Sequence, residues 1–198
     1  MLEFNEELHQ YTDNGIVIPS VTQILQFAGL THDFSMVGSA DLAWKANLGT
    51  QVHAATALDD NDNLGGYDPQ INGYIEAWRR FKAECDFVPQ FAEQRVYSKK
   101  YGYAGTLDRI GKLGGADTLL DIKTASVVDL VCVGPQTAAY EAASNEQNKR
   151  KTKYKRYAVK LLPDGKYKLI ACDNKMDLQV FLSSLNLYNW RTSKHDRC

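Results

Sequence analysis

The most informative segment of the chain covers residues 102–140 and reads GYAGTLDRIGKLGGADTLLDIKTASVVDLVCVGPQTAAY. Strand-forming residues dominate at 104–110 and again at 117–123. The Gly-rich sequence KLGGAD between them is a turn signal. Two such strands separated by a short Gly-containing turn predict a β-hairpin.

Two aspartates and a lysine occupy this hairpin at positions suited to metal chemistry. Because side chains on a strand alternate between faces, Asp121 and Lys123 share one face, and Asp108 lies on the neighbouring strand. Carboxylates bind hard divalent cations, and a lysine beside them can orient a nucleophilic water or offset charge on a phosphate. The alternative interpretation is an exposed Asp121–Lys123 ion pair, since Asp-x-Lys occurs by chance in many strands.

Three short motifs in the segment carry a resemblance to a known family. GTLD at 105–108, DIK at 121–123 and QTAAY at 136–140 stand in the order and approximate spacing of the PD-(D/E)XK nuclease superfamily. Within that superfamily they most resemble the RecB-type and phage exonuclease branch. The resemblance implies a restriction-endonuclease-like α/β core, in which helices flank a mixed central sheet, with an additional N-terminal helical region.

The resemblance also implies a role for each matching residue. Asp108 and Asp121 would bind Mg²⁺ or Mn²⁺ and take part in catalysis together with Lys123. Gln136 and Tyr140 would line the DNA-binding site, and their spacing of four places them on one face of a helix. Some members of this branch hold an iron–sulfur cluster with a C-terminal group of cysteines. This sequence has no such group, so no iron–sulfur cluster is expected.

The family pattern includes two further residues upstream of the hairpin. Glu93 is the candidate catalytic acid on the preceding strand, although a surface pair with Arg95 is the alternative while the strand register is unknown. His53 is the candidate helical metal ligand, and a histidine satisfied within a helix interface is the alternative. The backbone carbonyl of Ile122 is expected to join the metal ligands. An imidazole ligand would favour Mn²⁺ slightly over Mg²⁺.

The composition fits one intracellular domain. With 198 residues and 44% hydrophobic content, the chain can form one substantial core but not two comfortable domains. The formal net charge is −1, so any attraction to DNA must come from local patches. The four cysteines are widely separated, which argues against a zinc ribbon or a disulfide framework. No signal-peptide pattern or membrane-spanning apolar run is present, so we expect a soluble, cytoplasmic protein, in one scenario inside a phage-infected host.

The remaining patterns predict the arrangement of this single nuclease domain. Residues 1–88 are expected to form an N-terminal hairpin and helices, and residues 89–198 the catalytic core. Gly134-Pro135 is expected to open the helix of the third motif, and 59–69 to be a solvated loop. The other predicted elements are a hairpin at 11–17, helices at 39–58, 69–85 and 175–190, and strands at 91–97, 154–162 and 166–172.

A basic cluster follows the third motif. The segment 149–157 reads KRKTKYKRY and contains six lysines and arginines with two tyrosines among them. Blocks of like charge are often solvated surface, but interleaved aromatic residues suit contact with single-stranded DNA. We expect Lys153 and Lys155 to contact phosphates from one strand face and Tyr154 to contribute stacking.

Together these features predict metal-dependent hydrolysis of phosphodiester bonds in DNA. The simplest form is an exonuclease of phage-type recombination, replication or repair. The alternatives are an endonuclease or junction resolvase on the same core, and a DNA-binding module that has lost catalysis. The expected partner is DNA, as a single strand or a duplex end, and further partners would be other copies of the chain or a recombination protein.

Overall fold

The computed structural model describes residues 2–6, 8–31 and 39–193. Within these ranges, a five-stranded sheet has helices packed on both faces, and a separate three-stranded sheet lies at the N-terminus. The predicted α/β class with a mixed central sheet is confirmed. Cys198, one of the four cysteines, lies outside the described residues.

The bounds of the elements follow in chain order. The strands are β1 (Leu2–Asn5), β2 (Gln10–Asp13), β3 (Ile16–Ile18), β4 (Phe87–Ser98), β5 (Tyr103–Leu113), β6 (Ala116–Lys123), β7 (Lys155–Leu161) and β8 (Tyr167–Ala171). The helices are α1 (Val21–Phe27), α2 (Ser39–Asp59), α3 (Asn72–Glu84), α4 (Leu130–Gln147) and α5 (Asp177–Thr192), and a short 3₁₀ helix, Pro69–Ile71, precedes α3. None of these helices, within the described ranges, combines the length and apolarity needed to cross a membrane.

The central sheet has the strand order β4-β5-β6-β7-β8. Its neighbours are antiparallel except for β6 and β7, which are parallel and are joined through α4. A parallel pair requires such a crossover, because the chain must return to the end at which the first strand began. The predicted β5–β6 hairpin is confirmed. Its turn is Gly114-Gly115 at φ +52° and +79°, a conformation that glycine adopts without steric cost.

Alternation along β6 separates two hydrophobic cores. Leu119 packs with α1, α4 and α5 on one face of the sheet, whereas Leu120 and Ile122 pack with α2 and α3 on the other. Asp121 and Lys123 follow the face of Leu119, and the Lys123 amine reaches α4. The predicted common face of Asp121 and Lys123 is therefore present, and α4 is the helix that covers it.

The first strand of the central sheet is longer than predicted. We expected 91–97, but β4 extends over Phe87–Ser98 and contains Pro89. Proline lacks an N–H donor and is tolerated here because β4 is an edge strand. Its pairing with β5 shifts register between Pro89 and Phe91, as in a β-bulge. The proline thus marks an irregularity inside the strand and not its boundary.

The predicted start of the helix at Gly134-Pro135 is wrong. Helix α4 begins at Leu130, because the side chain of Asp129 accepts a hydrogen bond from the Val131 N–H (2.9 Å) and caps the helix earlier. Pro135 consequently lies inside the helix. There it removes one intrahelical hydrogen bond, since it has no N–H to donate.

The N-terminal sheet is attached to the central sheet through β2. The predicted hairpin at 11–17 is confirmed as β2–β3, with Asn14 and Gly15 in its turn at φ +50° and +77°. Strand β1 adds to the other side of β2 and was not predicted. The hydroxyl groups of Tyr11 and Thr106 lie 2.7 Å apart and share a hydrogen bond. This contact holds the small sheet against β5.

Candidate metal centre

Side chains from α2 and from the middle of β4 and β5 meet at one place on the central sheet. Nδ1 of His53 lies 3.5 Å from Oε1 of Glu93 and 3.5 Å from Oδ1 of Asp108. The ligand atoms of these three residues all lie within 4.8 Å of one another. An imidazole and two carboxylates at this spacing could hold one divalent cation. The structure therefore brings together three of the residues that the sequence nominated.

Glu93 reaches the cluster from an irregular position on β4. Its φ is +47°, in the left-handed region that residues other than glycine rarely adopt, and the paired residues on either side of it skip over it. Backbone strain of this kind occurs most often at functional sites. The alternative surface pair with Arg95 is not formed, because Arg95 lies 3.6 Å from Glu6 instead.

The peptide of Ile122 contributes both of its polar groups to the site. Its N–H donates to Oδ2 of Asp108 at 2.6 Å, and its carbonyl lies 3.1 Å from Nε2 of His53. Burial alone would lower the pKa of His53, but the Asp108 and Glu93 carboxylates outweigh burial and raise that pKa to about 10. Without a bound metal ion, His53 is thus protonated at neutral pH and balances the charge of the two carboxylates, and Nδ1 must give up its proton before it can bind a metal.

Asp121 is a buried carboxylate without hydrogen bonds. It is 1% exposed, and neither of its oxygens accepts a hydrogen bond from any residue that the structure describes. Nζ of Lys123 lies 2.8 Å from Oδ2 in an ion pair whose angles do not make a hydrogen bond. Burial raises the pKa of Asp121 to about 6, and Asp108 adds to the effect while Lys123 opposes it. The Lys123 ammonium offsets the charge of this carboxylate, and the unused hydrogen-bonding capacity of its oxygens suits them to bind a cation.

The lysine is held by the two residues of the third motif. Nζ of Lys123 donates to Oε1 of Gln136 (3.4 Å), and the Gln136 amide donates to the Tyr140 hydroxyl (3.2 Å). Both side chains are buried, which leaves little of their surface for DNA. Gly105 allows the close approach of Tyr140, because a Cβ there would lie 2.6 Å from the ring. The predicted spacing is correct, and the observed contacts position Lys123.

A buried arginine supports the site from below, and the sequence interpretation missed it. Arg109 is fully buried and donates to Oδ2 of Asp60 (2.6 Å), Oε1 of Glu93 (2.9 Å) and the Thr56 hydroxyl (2.8 Å). The indole ring of Trp78 lies 5.5 Å from the guanidinium, within cation–π range. Arg109 therefore ties Glu93 to helix α2.

The prediction that 59–69 is simply a solvated loop is wrong at its first two residues. The side chains of Asp59 and Asp60 are only 9% and 3% exposed, and both lie about 3 Å from the ammonium group of Lys82. An arginine flanked by Leu107 and Ile110 inside a central strand was the available signal, because a buried charge requires a partner. The sequence could not identify that partner, since it lies 49 positions away on another element.

A cleft of about 650 Å³ opens beside the candidate metal centre. His53, Glu93 and Tyr140 line it, so it gives access to the site, and the N-terminal sheet forms one wall. Lys45 and Arg95 add positive charge to its lining. The cleft is thus a route by which an anionic substrate could reach the carboxylates.

The basic segment at 149–157 does not join this cleft. In the parallel β6–β7 register, Lys155 lies level with Thr118, whereas Ala158 lies level with Asp121. The basic end of β7 is therefore about 10 Å along the strands from the carboxylates, at 3.3 Å per residue. Lys153 and Lys155 are exposed, and together with Tyr154 and Lys175 they line a second cavity of about 600 Å³.

We predict that the second cavity contributes to DNA binding by charge. Lys153→Ala/Lys155→Ala should flatten the slope of log affinity against log salt by roughly 1.4 for single strands, because each lost phosphate contact releases about 0.7 fewer counterions. Binding is measured in Ca²⁺ to prevent cleavage. The control is Lys99→Ala/Lys168→Ala, two exposed lysines that have no ion-pair partner among the described residues. Equal slopes for both double variants would show that the basic segment is solvated surface.

Comparisons with known proteins do not identify a family for this chain, so any assignment of function must rest on the geometry of the site. No protein-family model matches the chain, and a search of curated proteins finds no significant match. The geometry itself defines a class of site: two carboxylates and one imidazole that could hold a metal ion, with a further buried carboxylate and a half-buried lysine on the adjacent strand.

Proposed function

We propose that the chain is a divalent-metal-dependent nuclease of the PD-(D/E)XK type, acting on DNA. The observation that carries this proposal is Asp121, a buried carboxylate whose close partner is the Lys123 ammonium, on the strand next to Asp108, which belongs to the His53–Glu93–Asp108 group. A purely structural ion pair would not need a second buried acid, Asp108, beside it. A metal-binding hydrolytic site needs both acids and the lysine.

The ligands would come from four elements. Asp108, Asp121 and the Ile122 carbonyl lie on the hairpin, His53 lies on α2, and Glu93 lies on β4. Oxygen ligands suit Mg²⁺, and the imidazole makes Mn²⁺ a good fit as well. When bound, such an ion supplies Lewis acidity toward a phosphoryl oxygen and lowers the pKa of a bound water.

Lys123 would act as a positioned cation. Burial alone would lower its pKa, but Asp121 and Asp108 outweigh burial and raise that pKa above its usual value. The amine is therefore protonated at neutral pH, so it donates hydrogen bonds and cannot serve as a general base. Its role would be to align the attacking water and to offset charge that develops on the phosphate. Gln136 would hold it in place.

The decisive experiment is digestion of end-labelled DNA, single- and double-stranded, linear and circular. We expect shortening of linear DNA from its ends with Mg²⁺ or Mn²⁺ and no reaction with a chelator. Asp121→Ala should abolish cleavage while the fold is retained, because it removes an unsatisfied buried group. Asp117→Ala, a surface acid on the same strand paired with Lys112, is the matched control.

The outcomes of this digestion separate the candidate functions. Cleavage of circular DNA would favour an endonuclease, and binding without cleavage would favour a DNA-binding module that has lost catalysis.

Thermal unfolding provides an independent test of metal binding at the site. Mn²⁺ at about 100 times its dissociation constant should stabilise the wild type by about 2.7 kcal/mol. Asp121→Ala should lose this shift, and cleavage by that variant at near wild-type rate would refute the assignment.

A further inference from the structure

The N-terminal sheet contacts the central sheet two residues along the strands from the candidate metal ligands Glu93 and Asp108. Tyr11 of β2 is hydrogen-bonded to Thr106, which is two residues before Asp108 on β5. On the adjacent strand, Arg95 is two residues beyond Glu93. Two residues of a strand span about 7 Å. If a DNA phosphate were bound at the carboxylates, the small sheet would be close enough to contact the nucleoside attached to that phosphate.

Three rings pack against one another on this wall of the cleft, one pair edge-to-face and one pair tilted. The ring centroid of Phe4 lies 4.6 Å from that of Tyr11 and 5.1 Å from that of His9. The Arg95 guanidinium lies 4.9 Å from the Phe4 ring. Phe4 is half-buried and His9 is exposed, and both line the cleft. An aromatic face, an edge-on imidazole and a guanidinium thus border the space beside the metal centre.

The backbone of His9 is held in an uncommon conformation. Its φ is +46°, and its N–H donates to the Glu6 carbonyl at 3.3 Å within the β1–β2 turn. Glycine or asparagine fits such a position at lower steric cost. Histidine instead places a ring at the cleft against Phe4. Strain that persists in a turn beside a site is a reason to look for a function of that side chain.

On the basis of the proposed nuclease activity, we infer that Phe4 and His9 form a stacking platform for a nucleobase of the DNA strand held at the metal centre. Bases stack on aromatic side chains regardless of sequence, because every base has a π-face. Lys45, which also lines the cleft, supplies positive charge for the neighbouring phosphates, and a phosphate could replace the exposed Glu6 carboxylate as the partner of Arg95. The platform would fix the position of the strand without selecting its sequence.

The test compares a single-stranded oligonucleotide with versions that carry one abasic position at each step from the end. Binding is measured in Ca²⁺ in place of Mg²⁺, so that no DNA is cut. We expect His9→Ala and Phe4→Leu each to weaken binding of the normal oligonucleotide by roughly 5- to 150-fold, the range that corresponds to losing one base–aromatic stack. When the abasic position is the one that would stack on Phe4 and His9, the wild type should bind this oligonucleotide more weakly than the normal one by the same factor. The two variants should bind this abasic oligonucleotide as tightly as they bind the normal one.

Two controls separate stacking from damage to the fold. His9 is exposed, so His9→Ala should leave thermal unfolding unchanged even if Phe4→Leu does not. Phe27→Leu alters a half-exposed ring that packs against Tyr188 and does not line the cleft, and it should bind as the wild type does. Equal affinity of wild type and His9→Ala for the normal oligonucleotide, or an equal loss by His9→Ala at every abasic position, would overturn the platform. Absence of metal-dependent cleavage by the wild type would instead overturn the proposed function.

Discussion

Lys123→Ala is expected to lower the single-turnover rate of DNA cleavage by roughly two to four orders of magnitude, the range typical of losing a positioned catalytic group. DNA affinity should change little, because the Lys123 side chain is only 28% exposed and its contacts are with Asp121 and Gln136. The measurement is the cleavage rate at saturating DNA with Mg²⁺, together with binding in Ca²⁺.

Lys112→Ala is the matched control for this prediction. Lys112 lies on the adjacent strand of the same hairpin and forms a surface ion pair with Asp117, so both rate and affinity should stay near those of the wild type. The opposite result for Lys123→Ala, a collapse of affinity with a normal rate at saturation, would make Lys123 a phosphate anchor. The proposed mechanism would then be wrong.

Arg109→Met is expected to reduce the free energy of unfolding by about 1–3 kcal/mol, the cost of leaving buried acceptors unsatisfied, because Asp60 keeps its contacts with Lys82 and the Trp78 indole. The substitution removes the hydrogen bonds to Asp60 and Glu93, while a methionine fills most of the space. Urea unfolding in the presence of a chelator measures the loss without a contribution from metal.

Arg79→Met tests whether the burial of Arg109 is the reason why Arg109→Met reduces the free energy of unfolding. Arg79 also pairs with an aspartate at the end of α2, Asp59, but its side chain is 54% exposed. An exposed pair contributes about 0–1 kcal/mol, so this variant should unfold near the wild-type midpoint. Similar losses for Arg79→Met and Arg109→Met would show that the buried network adds no particular stability.

The hairpin and its glycine turn could be predicted because they depend on local chemistry. Strand alternation alone placed Asp121 and Lys123 on one face, and the Gly114-Gly115 turn fixed the pairing with β5. The spacing of Gln136 and Tyr140 was likewise sufficient to place both on one side of α4. These relationships involve residues close in sequence, where backbone geometry leaves few alternatives.

The rest of the site depends on contacts between distant elements. His53 and Glu93 remained open between two interpretations, because the placement of α2 and the register of β4 are set by packing across the whole sheet. The basic segment illustrates the same limit. Its composition suggested contact with DNA, but only the parallel β6–β7 register shows that Lys155 lies at the opposite end of the sheet from Lys123.

One face of α2 joins the candidate metal site to the buried network that attaches the helix to the sheet. His53 lies at the candidate metal centre, and its carbonyl accepts a hydrogen bond from the Thr56 hydroxyl. Arg109 donates one hydrogen bond to Thr56 and another to Asp60, which directly follows the helix. A change at any of these positions alters both the ligand geometry and the attachment of the helix to the sheet. Selection would therefore act on this face for two reasons at once. If the proposed nuclease activity is correct, a descendant without that activity would still be expected to retain these side chains, so their presence in a relative would not by itself be evidence of catalysis.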